Sequence, residues 1–222
     1  MHFTRTPTAA WLESPLGQRV LRAEAVLAGS VFDDVFGFEL LQVGSWGAES
    51  PLLTAARTQH TTVVAACAEA GVTLCAALDA LPFGADSIDA VLLPHSLERV
   101  EDPYAVLREA ERVLRAEGCL LICGFNPWSG WGVRRAFGLL LRWPPYPPGT
   151  RRLLSERRLR DWVALLGFDV ERVYGYLGAG AYWLKARKRV ATLTLLKPRR
   201  RVRRSVLVAA PEARSQASDA RR

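Results

Sequence analysis

Cysteine is scarce in this chain of 222 residues: Cys67, Cys75, Cys119 and Cys123 are all it has, and no two form a CxxC pair. With only three histidines beside them, a zinc framework and a disulfide scaffold are both excluded. The four read as buried thiols kept reduced in a cytoplasm. Long apolar runs are missing too. The best stretch, residues 118–125, is strand-sized and far short of the ~18 apolar residues that suggest a membrane-crossing helix. Residues 1–10 lack a basic flank followed by an apolar core, so no secretory signal is expected. Lysine is nearly absent, 27 of the 30 basic residues being arginine, a bias that coding preference explains as well as function does. Acidic residues are the minority overall, but the net charge of +8 is unevenly divided. Residues 1–140 hold 10 Arg against 16 acids, a net of −6, whereas residues 141–222 hold 20 basic residues against 6 acids, a net of +14. A near-neutral or acidic core with a basic tail follows, not a uniformly basic surface.

What is present in quantity is apolar: half of the residues are hydrophobic, enough for one compact α/β domain. Residues 11–36 predict an opening helix, with Ser14 as cap, Pro15 in the first turn, and Leu16, Val20, Leu21, Ala25 and Val26 on one face. Residues 38–43 form a short apolar run ending at Gly44, as a buried parallel strand does. Weaker strands are expected at 63–66 and 72–76, and the strongest at 88–93 and 120–125. Between those two, Asp102 and Pro103 open a helix through Arg115 that Glu117-Gly118 should close. Strand, helix and strand within about 38 residues make a βαβ unit, hence a mainly parallel sheet with its ligand crevice at the carboxyl ends of the strands. Residues 126–152 interleave Trp, Gly and Pro and read as an irregular cover over that crevice. A helix at 155–166 closed by Gly167, strands at 168–173 and 182–185, and a small, polar terminus after residue 209 complete the chain.

The segment Leu81-Pro82-Phe83 through Ser87-Ile88-Asp89-Ala90-Val91, then Leu97-Glu98-Arg99-Val100-Glu101-Asp102-Pro103, then Leu107-Arg108-Glu109 to Arg112-Val113-Leu114 resembles the class I S-adenosylmethionine-dependent methyltransferases, in the branch called methyltransferase type 11. That branch carries LPF-x-x-x-S-F-D-x-V, L-E-H-V-x-D-P and L-x-E-x-x-R-V-L in this order. With Phe125-Asn126-Pro127-Trp128-Ser129 and the basic tail, the chain is also similar to a small group of uncharacterised bacterial methyltransferase-like proteins. The resemblance implies a Rossmann-like seven-stranded, mainly parallel sheet with helices on both faces and S-adenosylmethionine laid across the strand ends. At the family's first-strand motif the register gives Gln42, Gly44, Trp46 and Ala48, with Gly47 added. Gln42 thus stands for the acid and Trp46 for the second glycine. Glu69 is the nearest acid to the ribose position. Ala77 occupies the adenine-side position, with Asp79 two residues on, before Leu81.

The resemblance therefore nominates Gln42, Gly44, Trp46, Gly47, Asp79 and Leu81 for the cofactor. Trp46 either stacks on adenine or plugs the pocket. Asp89 reads as structural. His95, at the end of a central strand, is the candidate base or acceptor contact, because histidine exchanges protons near neutral pH. Asn126 is placed beside it, although its Asn-Pro-aromatic run follows the fifth strand rather than the fourth. Trp128, Trp131, Trp143 and Tyr146 could form an apolar acceptor wall or simply pin the cover. Lys197, Arg199, Arg200, Arg201, Arg203 and Arg204 suit nucleic acid or an anionic surface, or a solvated tail. The division expected is an N-terminal helical segment (1–36), a methyltransferase-like domain (37–196) and a basic tail (197–222). The function expected is cytoplasmic methyl transfer from S-adenosylmethionine to an unidentified acceptor. The alternative is a non-catalytic binding or scaffold protein of the same fold.

Overall fold

The computed structural model describes residues 6–67, 69–141 and 146–189. The chain opens with two helices, α1 (Pro7–Leu12) and α2 (Pro15–Val31), rather than the single helix expected over 11–36. Both start alike: Thr6 and Ser14 accept hydrogen bonds from the backbone N–H groups of Ala9 and Gly17, and proline follows each cap. Proline lacks the N–H that would continue a helix and clashes with the turn before it, so Ser14-Pro15 separates the two.

Strands β1 (Glu39–Val43), β2 (His60–Ala65), β3 (Leu74–Cys75), β4 (Ile88–Pro94), β5 (Leu114–Phe125), β6 (Phe168–Tyr176) and β7 (Ala181–Lys188) form one sheet in the order β3-β2-β1-β4-β5-β7-β6. All neighbours pair in parallel except β7, which runs antiparallel to β5 and β6. This is the expected α/β class. Strand residues alternate between two cores. Leu40, Ala90, Leu92, Leu121 and Cys123 face α1 and α2, while Leu41, Val91, Leu93, Leu120 and Ile122 face α3 (Pro103–Val113) and α5 (Glu156–Leu165). Burial on both faces is why these strands read as continuous apolar runs. Cys119 and Cys123 are buried as expected. Cys67 and Cys75 are exposed, because they sit where β2 and the two-residue edge strand β3 run out.

Two further departures have local causes. Helix α3 stops at Val113 and the chain enters β5 at once, Leu114 pairing with Ile88 before a register shift at Ala90 and Cys119. Within the expected irregular cover lies α4 (Gly130–Leu140). The described prolines there, Pro127, Pro147 and Pro148, flank that helix and leave its interior free to form hydrogen bonds. The Glu109 and Arg112 pair of the sequence motif has an architectural role. Glu109 accepts the Leu81 N–H at 2.8 Å, and Arg112 donates to the carbonyls of Leu81 and Phe83 at 3.1 and 2.9 Å. The Leu81-Pro82-Phe83 loop is thereby clamped onto α3. Asp89 is structural as well, accepting the N–H groups of Phe38 and Glu39 and pairing with Arg115 at 2.8 Å.

Candidate active site

The strand order reverses between β1 and β4, and both strands end there in left-handed backbone: Gly44 at φ +98° and His95 at φ +53°. Ligand crevices of open α/β sheets form at such a point. At Gly44 the glycine is required twice, by φ and by space. A Cβ there would lie 2.3 Å from Ser96 Oγ and 3.1 Å from the Arg99 guanidinium. Ser96 Oγ donates to the Val43 carbonyl, and Arg99 donates to the Ser45 carbonyl at 2.8 Å. The close approach that Gly44 permits is therefore taken up by the β4 loop of the same chain.

Beside this junction opens a cleft with a cavity volume of about 200 Å³, below the ~300–1,000 Å³ usual for small-molecule sites. Ser45, Gly47 and Ala48 line it from the β1 loop, Glu69 from the β2 loop, Arg99 from the β4 loop, and Thr8, Leu12, Gln18 and Leu21 from α1 and α2. Burial draws the Arg99 guanidinium below its usual value while the Glu69 and Glu98 carboxylates work against that. Glu13 and Glu69 thus face the same cleft as Arg99.

Behind the cleft, the core holds a buried ionic network. His95 Nδ1 lies 2.8 Å from Glu98 and Nε2 lies 2.7 Å from Glu24. Glu24 also accepts from Trp46 Nε1 and from the Tyr176 hydroxyl, both at 2.6 Å, and Glu98 accepts the Phe125 N–H at 2.8 Å. The imidazole is stacked between Trp46 and Phe125, with centroids 4.3 and 4.1 Å away. Burial by itself would lower the His95 pKa, but the two carboxylates overcome it and hold the imidazolium up at about 9. Burial raises the Glu98 carboxyl, the His95 contact offsetting only part of it.

Of the six residues nominated for the cofactor, Gly47 lines the cleft. Gly44 lies beneath Ser96 and Arg99. Gln42 is fully buried, its amide donating to the Gly44 carbonyl and its Oε1 left without a hydrogen bond. Trp46 turns into the core toward Glu24, and Leu81 is buried in the clamped loop. Asp79 is exposed on that loop, outside the cleft lining. The expectation of a base at His95 meets a physical obstacle: the side chain has no exposure, and both its nitrogens are engaged by carboxylates. Asn126 is used in a turn, its amide donating to the Ala179 carbonyl at 3.1 Å and its Oδ1 accepting the Trp128 N–H at 3.0 Å. Trp131 and Tyr146 stack at 5.7 Å and pin the cover to Trp11, whose Nε1 donates to the Tyr146 hydroxyl at 3.1 Å. Trp143 and the six basic residues from Lys197 to Arg204 lie outside the described residues.

Sequence reasoning missed Glu24, Arg99 and Tyr176. Glu24 did leave a signal, an acid set in the α2 stripe of Val20, Leu21, Ala28 and Val31. Arg99 stands where the resembling branch has histidine. Tyr176 gave none.

The family described as Methyltransferase domain matches residues 48–122. Uncharacterized protein YafS of Escherichia coli (strain K12) is 35% identical over 162 residues, 72% of this chain and 65% of its own length. The chain therefore spans just under two thirds of that relative. A SAM-dependent methyltransferase from Aquifex aeolicus superposes with a TM-score of 0.60 at 15% identity, covering 83% of this chain and 99% of its own. The [4+2]-cyclase SpnF is similar at a TM-score of 0.61 and 18% identity, covering 80% and 84%. These two show the fold, and a cyclase among them shows that the fold alone does not set the reaction. The seven-stranded architecture is therefore the class I methyltransferase fold, and residues 48–122 within it are similar to the methyltransferase domain family.

Proposed function

We propose that the chain binds S-adenosylmethionine in the cleft beside β1 and β2 and transfers its methyl group to an acceptor. The observation that carries this reading is the opposed pair Glu69 and Arg99 in a cleft at the switch point of the sheet. Their chemistry fits the polar parts of the cofactor: a carboxylate suits ribose hydroxyls, and a guanidinium suits the carboxylate of the amino-acid end. Ser45 and Gly47 offer backbone close to the same end, and the loop of Asp79 and Leu81 is proposed to border the adenine. When bound, the cofactor supplies an electrophilic methyl group on a sulfonium. The work left to the protein is orientation and exclusion of water. We assign His95 and Asn126 to positioning. His95 holds the ends of β1, β4 and β5 and the helix α2 around one buried charge, and Asn126 fixes the turn between β6 and β7 against β5. No helix among the described residues is long and apolar enough to cross a membrane, and a cytoplasmic location is proposed with the rest.

The second reading, a binding or scaffold protein of the same fold, is favoured by Arg99 and Ser96 lying over Gly44 and by Trp46 in place of a family glycine. Calorimetry of the full chain with S-adenosylmethionine and S-adenosylhomocysteine separates the two. Heat of binding is expected, and Arg99→Lys, which keeps charge but loses the planar fork, should weaken affinity about tenfold. Absence of heat at high micromolar cofactor sinks the enzyme reading and leaves the scaffold.

A further inference from the structure

Helix α4 carries its apolar residues on the outside. Val133, Ala136, Phe137 and Leu140 recur at i, i+3, i+4 and i+7, and all four are exposed, with Leu141 beyond them. At 3.6 residues per turn they share one face. The opposite side, with Trp131 and Gly138, turns toward the protein. Such an inversion is unlike a surface helix of a solvated enzyme, where the outward face is polar. Exposure reaches 77% at Leu140 and 59% at Phe137, and Trp128, just before the helix, is 89% exposed.

The segment of chain that carries this face has charges of one sign. From residue 118 to 155 the chain holds five arginines (134, 135, 142, 151 and 152) and no Asp, Glu or Lys. Arg134 borders the apolar face, its guanidinium 4.0 Å from the Tyr146 ring centroid. Next to it lies an open groove lined by Leu16, Trp131, Arg134, Tyr146 and Leu177. An apolar ridge edged by arginine and tipped by tryptophan matches a bilayer surface, where side chains enter hydrocarbon while cations and indoles stay among the headgroups. We propose that the α4 face docks on an anionic lipid bilayer, Phe137, Leu140 and Leu141 entering the boundary region and the neighbouring arginines meeting lipid phosphates. This does not depend on whether the cleft holds S-adenosylmethionine.

The test is flotation of the full chain with vesicles of phosphatidylcholine alone and of equal parts phosphatidylcholine and phosphatidylglycerol. Binding is expected to the anionic vesicles and to fall as salt is raised. The double substitution Phe137→Asp and Leu140→Asp, at exposed sites, should reduce partitioning about tenfold or more with an unchanged circular dichroism spectrum. As a second measurement, bromolipids in the anionic vesicles should quench tryptophan emission in the native chain and less so in Trp128→Phe. The proposal is overturned if the native chain does not float with anionic vesicles or if the double variant floats as well as the native chain. It is equally overturned if loss occurs only in a full-length variant with Arg199, Arg200 and Arg201 changed to serine, or if the double substitution converts a dimer to a monomer in sedimentation, which would make the face a contact between copies.

Discussion

Glu24 shows how much one buried carboxylate can organise. It receives Trp46 Nε1, the Tyr176 hydroxyl and His95 Nε2, groups drawn from the β1 loop, β6 and the β4 loop. Glu24→Ala would leave an imidazolium, an indole and a phenol without their shared acceptor in the core. A loss of about 3–5 kcal/mol is expected, measured by urea unfolding, because breaking a buried pair strands its partner. Glu24→Gln, which keeps an acceptor oxygen, should lose less. Glu24 went unmarked in the sequence, though it is an acid set in an apolar stripe, whereas Trp46 stood out as a side chain where a glycine is usual. That the two anomalies meet could not be read from either, since 22 residues of chain separate them and contact across helix and sheet is a tertiary fact.

At the scale of elements, α3 and α5, whose ends carry their own capping chemistry, were legible, whereas α1, capped by Thr6 and opened by Pro7, was not. Asp102 caps α3 by accepting the N–H groups of Tyr104 and Ala105 at 2.9 and 3.1 Å, and Pro103 follows it, as the sequence suggested. Asp102→Ala should cost about 1 kcal/mol, read as a lower denaturant midpoint with an unchanged slope. Helix α4 was hidden because prolines and glycines near it suggested irregular chain, and because its apolar face points outward, so periodicity gave no core to assign it to. The end of α3 was placed two residues late for another reason. The chain needs no loop there, and Leu114 goes straight into pairing with Ile88. The Glu109 and Arg112 clamp explains a motif recognised only by resemblance: its two side chains hold the loop that precedes β4.

For the whole molecule, the buried histidine links stability to pH. Its folded pKa of about 9 lies above the ordinary value near 6.5, so His95 binds its proton more tightly in the folded state. The contribution is complete below about pH 6.5 and is lost as pH rises through about 9, on the order of 3 kcal/mol across that window. Urea unfolding at intervals across it should show stability falling with pH, and His95→Gln should flatten the fall. A slope unchanged in the variant would assign it to other groups. By itself the sequence determined the α/β class and the parallel core strands, because apolar runs, caps and the βαβ spacing are local properties of the chain. It also divided the charge, the acidic part of the chain from the basic one. Only the tertiary structure decided that Arg99, rather than a glycine-lined opening, lies over Gly44, that His95 is enclosed between two carboxylates, and that the apolar face of α4 points outward. Each depends on which side chains reach the same place from distant parts of the chain, and hydrophobic spacing along one element does not specify that.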